Sequence, residues 1–133
     1  MAKGESVFKT TKAFSSFSVD DLGRARKFYG DTLGLEIEES PEGLELNIGD
    51  GSHVFVYPKG NHVPATFTIL NFPVESVEDA VGDLTHRGVR FEVYESGELK
   101  TDKRGIFTDS AGPKIAWFKD PAGNFLSVLE ANR

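Results

Sequence analysis

The chain has no cysteine among its 133 residues. That absence excludes disulfides, thiolate metal ligands and a cysteine nucleophile together. No apolar run approaches the roughly eighteen residues that read as a membrane-spanning helix, so no membrane partner is expected. The opening stretch MAKGESVFKTTK carries lysines with no apolar segment behind them and does not read as a secretory signal. The compartment these absences predict is the cytoplasm. Positive charge is also scarce: 15 Lys and Arg stand against 21 Asp and Glu, for a formal charge of −6. The basic residues are scattered apart from LKTDKRG, so phosphate neutralisation has little to work with and no nucleic-acid partner is expected.

What remains is a folding composition, 38% hydrophobic and 27% charged with eleven phenylalanines. The length suits one domain, 1–133, with its own core. Asp20 and Asp21 open a helical pattern in which Leu22, Ala25, Tyr29 and Leu33 recur on one face, and Gly34 is placed to end it in a left-handed cap. A second helix follows the same plan. Ser76 with Asp79 reads as its N-terminal cap, Val77, Ala80, Val81 and Leu84 make its stripe, and His86, Arg87 and Gly88 close it.

An offset of 55 residues pairs Phe17 with Phe72, Val19 with Val74, Leu22 with Val77, Ala25 with Ala80 and Tyr29 with Leu84, which is an internal repeat. Strand patterns follow each helix, at 35–39, 44–49 and 53–58 and then at 89–94, 114–120 and 125–130, with turns at SPEG, GDGS, DSAGP and DPAGN. The fold class expected is α+β: two βαβββ modules, 13–58 and 66–131, related by a pseudo-twofold and joined by the linker PKGNHVPA. One face of each sheet is covered by its helix. The other faces are expected to meet front to front as a curved cleft, the usual kind of place for a small ligand.

The segments FSVDDLGRARKFYGDTLGL, FPVESVEDAVGDLTHRGVRFE and FKDPAGNFLSVLE resemble the vicinal oxygen chelate superfamily, which includes glyoxalase I, extradiol dioxygenases and bleomycin-binding proteins. In the metal-dependent members, the resemblance implies, His, Glu or occasionally Gln ligands face the cleft from the first and last strands of each half. Carried over, the first ligand position, five residues before the valine of V-x-D-L, is Phe14. Its repeat equivalent is Ile69. The position four residues after the glycine of DPxGN is Ser127, and the remaining one falls in HVFVYP, which has no carboxylate. Phenyl and sec-butyl groups offer a metal nothing. No metal and no cofactor are therefore expected.

Aromatic residues carry the alternative chemistry. Phe14, Phe55, Tyr57, Phe67, Tyr94, Phe107, Trp117 and Phe118 lie on or beside the strands, and alternation allows about half of them to face the cleft. Phe14, Ile69, Trp117, Ser127, Phe55 and Tyr57 form the candidate ligand-binding set, Trp117 foremost because an indole combines a large flat face with one donor. Arg104 joins them from the long segment Gly97–Pro113, where with Thr101 and Asp102 it can supply polar contacts over the cleft mouth and by itself grip a carboxylate or phosphate. Of the three histidines, His62 in the linker and His86 at a helix end read as structural. His53, with Glu45 or Glu95 as an acidic partner, is the catalytic candidate.

The function these features suggest is a metal-independent small-molecule-binding protein of the glyoxalase/bleomycin-resistance type, sequestering an aromatic or hydrophobic ligand. Its rivals are a lyase or isomerase of the same superfamily, with unusual metal ligands or a metal-free His53 site, and an interaction module whose cleft is filled by its own side chains. The resemblance also implies a homodimer. Whether each cleft lies within one chain or is built by exchange of modules is left open by so short a linker.

Overall fold

Phe17 and Val19 alternate with Ser16 and Ser18 in the opening strand, so one face of it is apolar and the other polar. That division runs through the molecule. A computed structural model describes residues 6–49, 51–110 and 112–130. The first module runs β1 (Ser15–Val19), α1 (Leu22–Arg26, widening into a π-type turn over Lys27–Thr32), β2 (Glu36–Ser40), β3 (Gly43–Ile48) and β4 (Ser52–Pro58). The second runs β5 (Thr68–Val74), α2 (Val77–His86), β6 (Ile106–Thr108), β7 (Lys114–Lys119) and β8 (Phe125–Glu130). Strand order is β1-β4-β3-β2 in one sheet and β5-β8-β7-β6 in the other, each with one parallel pair at its edge. None of the described helices is long and apolar enough to cross a membrane.

The helices form where their caps predict. Asp21 Oδ1 accepts from the Arg24 amide at 3.0 Å and Ser76 Oγ from the Asp79 amide at 3.1 Å, meeting donors that a helix start leaves free. The first helix does not stay α-helical to Gly34. It relaxes after Arg26 into wider hydrogen bonding, Leu33 N to the Phe28 carbonyl, which sets the neighbours Phe28 and Tyr29 both against packed rings.

Three expectations need correction. The sheets are open and not strongly curled, so they do not make the curved cleft expected of them. Segment 89–94 is not a strand: it makes one isolated bridge, Phe91 to Phe118, and then leaves the sheet. Its place beside β7 is taken by β6, which lies inside Gly97–Pro113 where no strand is expected, so two short segments share one edge. The turns at 49–52 and 109–113 and the second module's end include Asp50, Ala111 and Ala131, which lie outside the described residues.

Apolar faces of both sheets meet the helices. Val19, Tyr29, Leu44, Leu46 and Val56 on one side and Val77, Ala116, Phe118 and Leu126 on the other are all at most 1% exposed. Phe28 joins the two halves of this core, its ring centroid 5.1 Å from Tyr29 and 6.3 Å from Phe118. Polar atoms cross the same junction. The Tyr29 hydroxyl donates to Asp120 Oδ2 at 2.7 Å, and Asn124 Nδ2 donates to the Ser18 carbonyl at 3.0 Å.

Burial above all, then the Asp120 charge and its hydrogen bond, raises the pKa of the Tyr29 phenol far above its ordinary value. Since the folded-state value is the raised one, its stabilising contribution is whole below about pH 10, where a free tyrosine is still protonated, and declines as the pH rises beyond that. Tyr29→Phe is expected to cost about 1.5–3 kcal/mol at neutral pH, the scale of a hydrogen bond to a charged group. Denaturation of both proteins across alkaline pH tests the linkage: the native chain should lose up to ~1.4 kcal/mol more per pH unit than the variant above pH ~10. Equal alkaline losses in the two would remove Tyr29 as the titrating group.

Candidate functional site

Strand alternation decides which side chains are turned away from the helices. On the first sheet these are Ser16, Ser18, His53, Phe55, Tyr57 and Glu45, since their strand neighbours Phe17, Val54, Val56 and Leu44 pack in the core. On the second they are Asn71, Ile115, Trp117, Phe125 and Ser127, alternating with the buried Ala116, Phe118, Leu126 and Val128. The two open faces differ in chemistry. The first is mixed and acidic, with one stacked aromatic pair, Phe55 and Tyr57, 6.4 Å apart at 17°. The second is predominantly apolar and aromatic.

On that second face Trp117 is flanked by Tyr94 and Phe107, each with its ring centroid 6.1 Å away. Tyr94 comes from the segment that left the sheet, and a compact set of bonds returns it to the site. Thr101 Oγ1 accepts from the Tyr94 amide at 3.0 Å, the Thr101 amide donates back to the Tyr94 carbonyl at 2.8 Å, and Asp102 Oδ1 accepts from the amides of Arg104 and Ile106 at 2.8 and 3.0 Å. Burial, and then the nearby Glu92 charge, raises the pKa of the Tyr94 phenol, so it stays a neutral donor beside the indole. Trp117, Tyr94, Phe67, Leu99 and Phe125 line a hollow of about 340 Å³.

A second hollow of about 400 Å³ adjoins it along Phe67 and Thr68 and is lined by Ser16, Ser18, Tyr57, His62 and Ile69. The predicted residues are therefore distributed. Trp117 lies in the first hollow, while Ile69, skipped by the register of β5 with β8, lies in the second with Tyr57. Ser127 is fully buried between them in the sheet and donates to Asn71 Oδ1 at 2.6 Å. Phe14, 67% exposed, stands apart in a hollow with His53 at the other end of β1 and β4. Arg104 is on the helix side of the second module, in a hollow of about 600 Å³ with Val81, Thr85 and Lys103, and is 3.7 Å from Glu78.

His53 Nδ1 is 2.8 Å from Asn47 Oδ1 and 3.7 Å from Glu45 Oε2, so one of its two expected acidic partners is beside it. Among the described residues no group of three or more His, Asp or Glu side chains could hold a metal ion. Phe14, Ile69 and Ser127, at the positions where metal-dependent relatives are expected to carry ligands, offer one hydroxyl between them, and that hydroxyl is engaged with Asn71. The residues present do not fit a metal.

Two features escaped the sequence reading. The DPAGN turn is more than turn chemistry, because its Asp120 is 4% exposed and reaches across to Tyr29. His62 lies in the linker, yet it touches both modules, with Nδ1 2.7 Å from Ser18 Oγ and Nε2 3.0 Å from the Ala122 carbonyl. The one signal for it was the alternation that turns Ser18 away from the helix. Nothing local to the linker announces that the chain folds back over β1.

The profile of the Glyoxalase/Bleomycin resistance protein/Dioxygenase superfamily matches residues 13–128. No curated protein matches the chain significantly. Among solved structures, the glyoxalase family protein from Enterococcus faecalis is 21% identical with a TM-score of 0.68, covering 93% of this chain and 100% of its own. Lactoylglutathione lyase from Agrobacterium tumefaciens is 19% identical with a TM-score of 0.66, covering 92% and 94%. An antibiotic binding protein from Streptomyces sp. CB03234 is 20% identical with a TM-score of 0.63, covering 92% and 98%. At such identities the likeness is one of fold, and that fold carries both a lyase and a binder.

The geometry of the aromatic hollow depends on a glycine. Gly105 has φ +92°, and a Cβ there would lie 2.7 Å from the Glu92 carbonyl oxygen and 2.9 Å from Phe91 Cβ. Gly105→Ala should cost more than about 1 kcal/mol in denaturant unfolding. It should also speed hydrogen exchange at the Tyr94 and Thr101 amides ahead of those in β8. Protection left intact at those two amides would show that the segment holding Tyr94 does not depend on this turn.

Proposed function

The chain belongs to the Glyoxalase/Bleomycin resistance protein/Dioxygenase superfamily, and from that premise we propose that it is a metal-independent small-molecule-binding protein of the bleomycin-resistance type. Its ligand is aromatic or hydrophobic, lies against the Trp117 face, and is sequestered rather than turned over. The observation that carries this reading is the cluster of Trp117, Tyr94 and Phe107 on an otherwise open sheet face, with Tyr94 and Phe107 tilted against Trp117 on either flank. Half-buried aromatic rings bordering a hollow of about 340 Å³ can receive a flat apolar molecule and give it one or two hydrogen bonds, from the indole and the phenol. The relative from Streptomyces sp. CB03234, an antibiotic binding protein, supports the same use of this fold.

A homodimer suits this reading, because a second copy would cover apolar surface such as Phe67, which is 68% exposed. The cytoplasm remains the expected compartment, and the charge of −6 argues against nucleic acid as the partner. The rival reading is a lyase or isomerase of the superfamily, and it is favoured by one contact, His53 within 3.7 Å of Glu45. His53 is exposed, lines a different hollow from Trp117 and is bordered by the acidic face, which suits a solvated pair.

The test is titration with flat aromatic compounds, followed by the fluorescence of the single tryptophan and by calorimetry, together with native mass spectrometry and metal analysis of the untagged protein. Binding should shift the indole emission, and Trp117→Ala should weaken it about tenfold, ~1.4 kcal/mol. The protein should run as a metal-free dimer. Stoichiometric metal in the purified chain, or turnover abolished by His53→Ala with affinity unmoved by Trp117→Ala, would transfer the function to the enzyme reading.

A further inference from the structure

The linker between the modules brings a histidine back onto the first strand. Ser18 Oγ is 2.7 Å from His62 Nδ1, and His62 Nε2 is 3.0 Å from the Ala122 carbonyl oxygen. A carbonyl oxygen only accepts, so in the neutral ring the proton sits on Nε2 and Nδ1 is left bare. The Ser18 hydroxyl must then donate to it. Hydroxyl, base and an acceptor that fixes the ring's tautomer stand in line, each within hydrogen-bond reach of the next, which is the arrangement that activates a serine.

The surroundings suit a substrate. Both side chains are half-buried and open on the hollow of about 400 Å³. No acid, lysine or arginine lines it, and Phe17, Val54, Val63, Phe67 and Ile69 supply apolar wall. The substrate it fits is neutral and mostly apolar. β1 is also an edge strand, and the Ser18 carbonyl turns off that edge to accept from Asn124 Nδ2 at 3.0 Å. In a strand the amide of a residue points to the same side as its carbonyl, so the Ser18 N–H faces off the same edge, where it can meet a developing oxyanion.

We propose that Ser18 and His62 form an acyl-transfer site for small neutral esters. Ser18 Oγ bonds to the ester carbonyl carbon while His62 Nδ1 takes the hydroxyl proton. The C–O bond to the alcohol then breaks, and the alcohol leaves with that proton. Water, deprotonated by the same nitrogen, next attacks the acyl-serine, releasing the acid and restoring the hydroxyl. Nothing is oxidised or reduced. A carbonyl at Nε2 steadies the imidazolium less than a carboxylate would, which slows acylation and deacylation alike. An activated ester, whose phenoxide leaves without a proton, then acylates Ser18 faster than water deacylates it, and the acyl-serine is the species to measure. The site does not rest on the aromatic-ligand reading, since its reacting groups lie outside the Trp117 hollow.

Intact-protein mass spectrometry of the full chain after exposure to p-nitrophenyl acetate, and separately to a fluorophosphonate, followed by peptide mapping, tests the proposal. A single adduct on Ser18 is expected, absent in Ser18→Ala and formed about 100-fold more slowly in His62→Gln, the scale of losing a general base. Glutamine keeps one donor and one acceptor for Ala122 and Ser18, and an unchanged melting curve would show that the linker stays in place. No adduct in the native chain, an adduct on any other residue, or an equal rate in His62→Gln would overturn it.

Discussion

The Asp120 carboxylate is the point on which the two modules turn. It accepts from the amides of Ala122 and Asn124, both at 2.9 Å, from Asn124 Nδ2 at 3.0 Å and from the Tyr29 hydroxyl at 2.7 Å. A buried carboxylate is tolerated only when its lone pairs are met, and four donors meet these. Three of the bonds shape the turn between β7 and β8, and the fourth ties that turn to the first helix. Asn124, held by Asp120, then reaches the Ser18 carbonyl, while the Ala122 carbonyl on the same turn receives His62. One acidic residue thereby sets the positions of a helix, an edge strand and the linker.

Joining the modules in this way leaves the opposite sheet faces only partly covered by the described residues, by the linker at Ser18 and by the Tyr94 segment at Trp117. The helix side holds the continuous core through Phe28, Tyr29 and Phe118. Because the sheets stay open, this side of the molecule presents adjoining hollows that share Phe67 and Thr68, in place of one enclosed groove. Each hollow then follows the composition of the face beneath it. Serines and tyrosine border the one near β1, and indole, phenol and phenyl groups border the one on β7 and β8.

Much of this architecture was legible in the sequence, because its causes are local. Caps at Asp21 and Ser76, the helical stripes and the alternation in β1, β3, β4, β7 and β8 each act over a few residues, and each element appears where its pattern put it. The misreading at 89–94 has a different cause. VRFEVY alternates as a strand should, but the edge of β7 is divided between Phe91 and β6, a tertiary competition with no local mark. The same holds for the site. Trp117 could be placed on an open face by parity alone, whereas Tyr94 reaches it through Thr101 and Asp102, and His62 reaches Ser18 through a returning linker. Contacts made by folding back are invisible to any periodicity.

The internal repeat separates what the fold requires from what the site uses. Facing the helices, Phe17 corresponds to Phe72 and Val19 to Val74, and the strands beside them match as well, Val54 with Leu126 and Val56 with Val128. Every one of these pairs is apolar. Facing away, Ser16 corresponds to Asn71, Ser18 to Pro73, His53 to Phe125, Phe55 to Ser127 and Tyr57 to Leu129, and in none of them is the chemistry kept. Packing against a helix constrains volume and polarity in both modules alike, so the core faces resemble each other. The open faces carry no such constraint. Their divergence gives one module a hydroxyl beside a histidine and the other an aromatic bed, and it is what allows a duplicated fold to present two different surfaces.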